Sequence, residues 1–520
     1  MHQALLIPEL FRLILIKIRS KQSLLTLALA CRALHEHALD TLWTCPEDLS
    51  DLVKLLPSDL WRYSGIGPGR IMELKSPTRP TGPQDWERFD FYARRVRKLE
   101  FSPEFSLALS NDLFHWLTSS RPSQLLLPNL SDICWVASDS SEYHDSLYVL
   151  FGPRLIALRL EVWEAESAAS QTAPFALLQL PQCSPDIETL RFLGPHDCEA
   201  LPAGVLASLK KLRAVNLCLP LTLDAFAELS TLRALSQLEI NLSFFDDKVL
   251  IASQAVGLRT AQTLAFDALK KLVLIMPMTA ASAILSRCRF PQLGQIVLRT
   301  RSASNVEPLH SVLQLICQCC NHAVLHDIHI DIGKSANPDE HVIYTLTAAS
   351  LRPLCHFHHL RTFKLVTAQV FIVLDDEAVK EMSMSWPLLE CLQLMTAVED
   401  PWATPTQTAT TLDGLAHLAR YCPSLQELAI DVDTAGATVS ARVKPGGGFC
   451  NYALRRITIP RFPMLSDCAE IGAFLHAIFP NLRQIAVPPG FENSPWKAVE
   501  VVLRGIWIVS QWEKSTGLRA

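Results

Sequence analysis

The sequence lacks any long uninterrupted run of apolar residues, although 49% of its 520 residues are apolar. A membrane-spanning helix needs about 20 such residues in a row, so no membrane segment is predicted. The sequence also lacks an excess of positive charge, because 47 Lys and Arg stand against 52 Asp and Glu and the net charge is −5. Nucleic acid and acidic lipid are therefore not expected partners.

The motifs of common catalytic sites, such as GxSxG and HExxH, are missing as well. The glycine-rich stretches 65–70 (GIGPGR) and 445–449 (PGGGF) lack the spacing of nucleotide-binding loops. The Cys- and His-rich stretches 317–329 and 354–359 lack the two separated ligand pairs of a zinc site, and core packing explains their cysteines. We therefore expect no catalytic activity, metal or cofactor. An enzyme that uses the Cys- and His-rich region near residue 320 is the least favoured alternative.

The cysteines do not form the pattern of a disulfide framework. There are 15 of them, an odd number, scattered from Cys31 to Cys468. In a chain of this length, such a distribution favours a reducing compartment. We expect a soluble protein of the cytoplasm, the nucleus or both.

The stretch 5–18 (LLIPELFRLILIKI) permits three interpretations: the apolar part of a secretion signal, a buried core helix, or a docking helix. Pro8, Glu9 and Arg12 interrupt it, and further basic residues follow the apolar part instead of preceding it. Both features argue against a secretion signal.

A short phrase of the form L-x-x-L-x-L, with Ile, Val or Phe allowed, returns through most of the chain. Examples are PRLIALRL (153–160), PSLQELAI (423–430) and PNLRQIAV (480–487). The copies recur about every 30 residues, in the range of leucine-rich repeats. The first position of the phrase falls on twelve residues: Leu155, Ile187, Leu212, Leu235, Leu269, Leu293, Leu325, Leu360, Leu389, Leu425, Leu454 and Leu482.

Each repeat is predicted to contain one strand and one helix. The last two apolar positions of the phrase alternate with a polar one, as in a strand with one buried face. Between the phrases, apolar residues recur at three and four, as on one face of a helix. Examples of such segments are 223–235, 307–320, 376–382, 412–422 and 468–479. One strand and one helix cannot bury both apolar faces, so the units should stack into a solenoid of the α/β class.

This pattern resembles the leucine-rich-repeat superfamily. The regular family has Asn or Cys three residues after the last Leu of the phrase. Here that position holds Trp163, Pro195, Pro220, Ser243, Arg301 or Asp433. We therefore expect an irregular solenoid, with loop insertions at 398–408 and 444–449.

The N-terminal segment carries a second resemblance. Apolar spacing in 20–43 predicts further helix, so residues 1–43 should form two or three short helices that are too small to be stable alone. The residues Pro8-Glu9-Leu10, Ile14, Ile18, Leu24-Leu25, Ala30-Cys31-Arg32, Ala38 and Leu42-Trp43 resemble an F-box. Together with 57–61 (PSDLW), 85–89 (DWERF) and 90–101, the chain resembles the F-box/leucine-rich-repeat proteins abundant in mushroom-forming fungi.

The resemblance implies a substrate receptor of a Skp–cullin–F-box ubiquitin ligase. The F-box, 1–45, would dock on a Skp-family adaptor and through it on a cullin. A linker, 46–90, would lead to the repeats, 91–520, which would bind an unknown substrate protein. The expected adaptor-binding residues are Ile7, Pro8, Glu9, Leu10, Ile14, Ile18, Leu24, Leu27, Cys31 and Leu34. Two alternatives remain: the helices only cap the first repeat, or the chain is a repeat scaffold unconnected with ubiquitin.

The substrate is expected on the concave face, on side chains that point away from the core. The expected substrate-binding residues are Arg159, Arg191, Val273, Ile275, Val297, Arg299, His329 and Lys364. Basic and acidic residues balance on this face, which suits a protein partner and not nucleic acid. The patch of Val273, Ile275, Val297 and Arg299 is the predicted centre. The alternative is that its β-branched residues merely favour the strand.

Overall fold

A computed structural model describes residues 7–18, 20–46, 48–65, 71–75, 79, 81–102, 108–120, 125–137, 147–162, 173–194, 200–242, 263–301, 307–333, 344–368, 370–396, 410–434, 444–459, 467–487 and 494–516. The chain divides into two compact units, Met1–Leu235 and Ser236–Ala520, which are described in turn.

The first unit begins with helices and continues with parallel strands. Its helices are α1 (Pro8–Leu15), α2 (Lys21–Ala30), α3 (Arg32–Trp43), α4 (Ser50–Val53), α5 (Pro83–Ala93), α6 (Asn111–Ser119), α7 (Ala173–Cys183), α8 (Val205–Ser208) and α9 (Leu223–Ser230). Its strands are β1 (Trp61–Ser64), β2 (Ile71–Leu74), β3 (Lys98–Phe101), β4 (Ala108–Leu109), β5 (Asp132–Ala137), β6 (Ala157–Val162), β7 (Thr189–Leu193) and β8 (Ala214–Cys218).

Helices α1 to α3 pack around a small apolar core. Pro8 occupies the first turn of α1, where its missing N–H costs no hydrogen bond. The Ser20 hydroxyl accepts a 3.2 Å hydrogen bond from the Ser23 N–H and caps α2. Phe11, Leu15, Leu24 and Leu34 form the core between the three helices.

A second contact joins these helices to α5. Ala28, Ala38 and Leu39 form a buried cluster against which Phe91 and Tyr92 pack. The guanidinium of Arg95 bridges to Glu36 at 2.6 Å and also to Asp40. The N-terminal helices are thus bound to the segment just before the first repeat strand.

The segment predicted as a linker, 46–90, has regular structure of its own. It contains α4, β1, β2 and most of α5. Strands β1 and β2 pair antiparallel, and β2 pairs parallel with β4. Trp86 and Phe89 of α5 are buried, so apolar packing holds this segment in place where the sequence suggested only a connection.

Strands β3, β5, β6, β7 and β8 pair in parallel, each with the next. One carbonyl fixes each new strand by accepting two N–H groups. The Ser131 carbonyl, for example, accepts bonds of 2.8 and 3.0 Å from Ile156 and Ala157. For β3 the accepting carbonyl is that of Thr44, just after α3, at 2.9 Å from both Arg97 N and Lys98 N. The end of the N-terminal helices therefore takes the place of a preceding strand.

The second unit repeats this arrangement. Its strands are β9 (Gln237–Asn241), β10 (Leu264–Ala265), β11 (Lys271–Ile275), β12 (Cys288–Arg289), β13 (Gln295–Thr300), β14 (Asp327–Ile332), β15 (Tyr344–Thr347), β16 (Thr362–Thr367), β17 (Val370–Val373), β18 (Cys391–Thr396), β19 (Glu427–Ala429), β20 (Arg456–Thr458) and β21 (Gln484–Ala486). Its helices are α10 (Met278–Leu285), α11 (Glu307–Cys319), α12 (Ala348–Leu351), α13 (Asp376–Ser385), α14 (Leu412–Tyr421), α15 (Cys468–Ile478) and α16 (Pro495–Thr516), with 3₁₀ turns at Arg352–His356 and Pro445–Gly448.

The parallel sheet of this unit runs in the order β9, β11, β13, β14, β16, β18, β19, β20 and β21. Strands β10 and β12 pair with each other, as do β15 and β17. The helices between sheet strands range from the 4 residues of α12 to the 13 of α11. The prediction of an irregular α/β leucine-rich-repeat fold is confirmed.

The twelve predicted first-position residues, named above, are all buried, with exposed fractions of 0 to 2%.

Two earlier copies of the phrase were not predicted from the sequence. Val96 and Leu99 begin the copy at β3, and Leu130 and Ile133 begin the copy at β5, where Trp135 replaces the last Leu. The buried Asn451 was not predicted either. Its side-chain amide N–H donates to the Cys422 carbonyl at 2.7 Å, and its side-chain oxygen accepts from two backbone N–H groups.

None of the helices in the described part of the chain is long and apolar enough to cross a membrane.

The last strand of the sheet, β21, is closed by an ion pair instead of a further strand. The Glu500 carboxylate accepts a 3.0 Å hydrogen bond from Ile485 N, and the Lys497 amine donates to the Ile485 carbonyl at 2.8 Å. Lys497 and Glu500 also bond each other at 2.9 Å, and Arg504 bonds Glu500 at 2.5 Å. Burial acts to raise the pKa of Glu500, but the hydrogen bonds from Lys497 and Ile485 lower it overall.

We predict that Glu500→Ala lowers the free energy of unfolding by about 1–3 kcal/mol, because it leaves buried backbone and amine groups without their partner. Urea unfolding at pH 7 measures the effect, with Glu470→Ala on the exposed side of α15 as the control. Because the pKa of Glu500 is lowered by folding, its contribution is complete above the ordinary Glu pKa and declines as the pH falls through the folded value. A difference between the two variants that does not shrink in acid would contradict this role.

Candidate protein-interaction sites

The first candidate site lies on the outer side of α1 and α2. Apolar side chains that are normally buried are exposed there, and we call this set the N-terminal apolar surface: Ile7 (46% exposed), Leu10 (43%), Leu13 (62%), Ile14 (44%), Ile16 (68%), Leu25 (39%) and Leu29 (75%). Exposed apolar side chains concentrated in a short segment are a feature of interaction sites in soluble proteins.

The predicted adaptor-binding residues fall into two groups in the structure. Ile7, Leu10 and Ile14 belong to the N-terminal apolar surface, and Glu9 is exposed beside them. Leu24 and Leu34 are buried between the helices, and Ile18, Leu27 and Cys31 are half-buried against the same core. Pro8 begins α1.

Four members of the surface were absent from the sequence prediction: Leu13, Ile16, Leu25 and Leu29. A motif marks the residue types that recur in a family, but it does not say which side of each helix the neighbouring helices cover. The continuous run of apolar residues from Leu13 to Ile16 was the available signal, since a single buried stripe needs fewer.

The second candidate site is the strand face, which we define as the side chains that alternate with the buried leucines of the sheet. In the second unit the strand register brings the predicted residues into two adjacent rows. One row runs Glu239, Val273, Val297, His329, Lys364 and Gln393, and the next runs Asn241, Ile275, Arg299, Asp331, Val366 and Met395. The prediction that these positions share one face agrees with the register.

The centre of the predicted patch is less accessible than its sequence suggests. Val273 and Val297 are opposite each other on β11 and β13, and they are only 7% and 6% exposed. Arg299 is exposed and Ile275 is partly so. Branched side chains on neighbouring strands cover one another, so the two valines offer little surface to a partner. Burial, and to a lesser extent Lys364, lowers the pKa of His329, which keeps that row residue neutral near pH 7.

On the first unit the strand face carries a small cavity of about 250 Å³ over β3, β5, β6 and β7. Its lining includes Arg159 and Arg191, which are opposite each other in the register. Both guanidinium groups approach one oxygen of the 4%-exposed Glu161, with Nε to Oε1 distances of 2.6 Å for Arg159 and 3.3 Å for Arg191. We call these three residues the arginine cluster.

The Cys- and His-rich region brings together a thiol and two imidazoles from consecutive repeats. Cys317 Sγ lies 3.5 Å from His322 Nε2 and 3.9 Å from His356 Nδ1. Each imidazole nitrogen also bonds a backbone carbonyl, of Cys317 and Pro353 respectively. Burial raises the pKa of Cys317, whereas an activated thiol nucleophile has a lowered pKa. Within the described ranges, no group of three or more His, Cys, Asp and Glu is arranged to hold a metal ion.

Of the glycine-rich stretch 65–70, residues 66–70 lie outside the described residues. In the other glycine-rich stretch, Pro445–Gly448 forms a 3₁₀ turn.

Comparisons with known proteins locate the chain only at the level of fold. No family model matches it, and no curated protein matches it. Among solved structures, it is similar to a leucine-rich-repeat protein of Leptospira interrogans, at 13% identity and a TM-score of 0.39, over 76% of this chain and 79% of that one. It is also similar to the structure of the Rad7 and Elc1 complex of yeast, at 13% identity and a TM-score of 0.26, over 61% of this chain and 80% of that one. At these TM-scores the two structures add nothing to the assignment of function.

The accessibility of the strand face generates a test. We predict that Val297→Asp lowers the free energy of unfolding by at least about 2 kcal/mol, because it buries a charge without a partner. Arg299→Gln, two residues along the same strand but exposed, should leave the stability within about 0.5 kcal/mol of the wild type. Equal stability of the two variants in urea unfolding would show that the Val297 side chain is not covered.

Proposed function

We propose that the chain is a non-catalytic receptor that docks on a Skp-family adaptor through the N-terminal apolar surface and binds a target protein on its strand face. In a Skp–cullin–F-box ligase this arrangement would present the target for ubiquitin transfer. The proposal combines the F-box resemblance of the N-terminal segment with one observation of the structure, the two-sided apolar character of α1.

Helix α1 is apolar on both sides. Phe11 and Leu15 are buried, at 3% and 0% exposure, while Leu10, Leu13 and Ile14 point away from the core and are 43 to 62% exposed. Apart from the exposed Glu9 and Arg12, α1 has apolar side chains on both sides, whereas a surface helix normally has one apolar stripe. Exposure of these outer apolar residues to water is unfavourable, and burying them against a partner would lower the free energy. The helix therefore fits an interface better than a free surface.

The second half of the proposal rests on the strand face. It offers aligned rows of side chains of mixed character, acidic, basic and apolar, on strands that the register holds in place. Rigid rows of this kind suit a protein surface, and they lack the basic stripe that nucleic acid requires.

A second role, capping, is favoured by a separate observation. The Thr44 carbonyl completes the pairing of β3, and α3 packs on Phe91 and Tyr92. The inner side of the N-terminal helices therefore closes the edge of the sheet, whichever partner binds the outer side. Capping and docking use opposite sides of the same helices, so one does not exclude the other.

The docking half predicts a binding defect without unfolding. Leu10→Ala combined with Ile14→Ala should weaken adaptor binding by at least about tenfold, because each side chain still has nearly half its surface to bury. Titration of the purified full-length chain with a purified Skp-family adaptor measures the effect. The control, Val501→Ala with Ile508→Ala, removes similarly exposed apolar side chains from α16 (68% and 42%) and should leave the affinity unchanged. Undiminished affinity of a folded Leu10/Ile14 variant would refute the docking proposal.

The capping role of the N-terminal helices predicts a loss of stability when they are removed. Deletion of residues 1–45 removes the Thr44 carbonyl and uncovers Phe91 and Tyr92, so the first unit should unfold at lower urea concentration. A matched fragment that begins at residue 6 keeps the helices and should retain the full stability. A deletion variant with unchanged stability would show that the helices serve docking alone.

A further inference from the structure

We infer that the arginine cluster is a socket for an oxyanion carried by a protein segment, the carboxylate of an Asp or Glu side chain or a phosphate on a Ser or Thr. The inference rests on the proposed function, because it places the acidic group of the target on the strand face of the first unit. Four observations support it.

The register places two like charges side by side. Arg159 on β6 is opposite Arg191 on β7, so their backbones are about 5 Å apart. Like charges directly opposite each other destabilise a sheet. Glu161 supplies a single negative charge to both of them, which leaves one positive charge uncompensated within the cluster.

The contact with Glu161 uses only one edge of each guanidinium. Both arginines meet Glu161 Oε1 through Nε, and it is the one carboxylate within bridging distance of either among the residues that the structure describes. The terminal nitrogen groups, which bind carboxylate and phosphate in pairs, are not the atoms that make these closest contacts with Glu161. The side chains of Arg159 and Arg191 are 47% and 41% exposed, so a ligand has access to them.

The immediate neighbours of the arginines in the same row, Cys134 and Asn216, add no negative charge. Burial raises the pKa of the Cys134 thiol, which therefore stays neutral beside Arg159. On the other side Asn216 is opposite Arg191, and its buried side-chain oxygen has no hydrogen-bond partner in the described part of the chain. The lining also includes Lys98 and Glu100 on β3, whose charges offset each other, and Asp132 on β5. Asp132 lies in the adjacent row, opposite Ala157, and its carboxylate accepts a 2.5 Å hydrogen bond from the Ser131 hydroxyl.

The size of the cavity selects the kind of ligand. At about 250 Å³ it lies below the usual range of roughly 300–1,000 Å³ for pockets that hold free small molecules. One or two side chains of an extended segment fit such a volume, with the rest of the segment running across the strand face. The volume therefore suits an acidic or phosphorylated side chain of a protein segment, the kind of ligand that the proposed function requires.

The test uses an array of nine-residue peptides in which one central position varies among Glu, Asp, phosphoserine, Gln and Ala and the flanking positions are randomised. Full-length protein should bind peptides with an acidic centre about tenfold more than those with Gln. Carboxylate peptides and phosphoserine peptides are separate arms of the array, so their ratio identifies which source of the oxyanion the socket prefers. Equal binding of acidic and neutral peptides would overturn the inference.

Three variants make the test specific. Arg159→Gln with Arg191→Gln and Glu161→Gln removes all three charges together, leaves no unpaired buried charge, and should abolish the preference for acidic peptides. The control, Lys211→Gln with Arg213→Gln, removes two basic residues of the same unit that pair with Asp186 and Glu188 elsewhere, and it should retain the preference. Glu161→Gln alone frees both guanidiniums and should raise the preference above that of the wild type.

The Glu161→Gln variant distinguishes a ligand-binding role of the two arginines from a purely structural one. If Arg159 and Arg191 only stabilised the sheet, Glu161→Gln would lower stability without increasing selection for acidic peptides. Circular dichroism melting of each variant checks the fold. Adaptor titration of the same samples keeps the two proposals apart, because loss of acidic selection with normal adaptor binding would overturn only the socket, whereas loss of adaptor binding in the Leu10/Ile14 variant concerns only docking.

Discussion

The repeated pairing of each strand with a carbonyl of the strand before it is the constraint on which the rest of this structure depends. At the start of nearly every sheet strand, two consecutive N–H groups donate to the carbonyl of the residue just before the neighbouring strand. Gly294 N and Gln295 N, at the start of β13, donate in this way to the carbonyl of Lys270, just before β11. This pairing fixes the register, and the register decides which side chains become neighbours across the sheet. Because each strand is placed by the previous one, the first and last strands need substitutes.

The two substitutes differ in kind. At β3 the backbone carbonyl of Thr44 replaces the preceding strand, which ties the N-terminal helices to the sheet. At β21 the side chains of Glu500 and Lys497 supply the acceptor and the donor that a following strand would have supplied. A charged pair suits the second position because charged groups pair with the strand while repelling the addition of another strand.

The same alternation that buries the leucines also creates the strand face, but the character of this face changes along the chain. In the second unit, opposed valines cover one another on β11 and β13. In the first unit, opposed arginines share one buried glutamate and remain accessible.

The sequence by itself determined the repeat, because leucine spacing is a local property and every predicted first-position residue is buried. It also indicated that α1 is too apolar for a free surface helix. It did not identify the earliest repeat strands: the copy at β5 ends in Trp135, which the phrase does not allow, although Val96, Leu99 and Phe101 at β3 do fit it. Nor did it show that 46–90 is folded, since its short strands pair with partners distant along the chain.

What only the tertiary structure decided is which of these residues meet and which remain accessible. Arg159 and Glu161 are two positions apart on one strand, but Arg191 reaches the same carboxylate only because the register sets β7 beside β6. Leu24 and Leu10 carry the same side chain and both fit the same motif, yet helix packing buries one and exposes the other. Spacing along the chain fixes the side of a strand or helix, whereas burial depends on neighbours that come from other parts of the sequence.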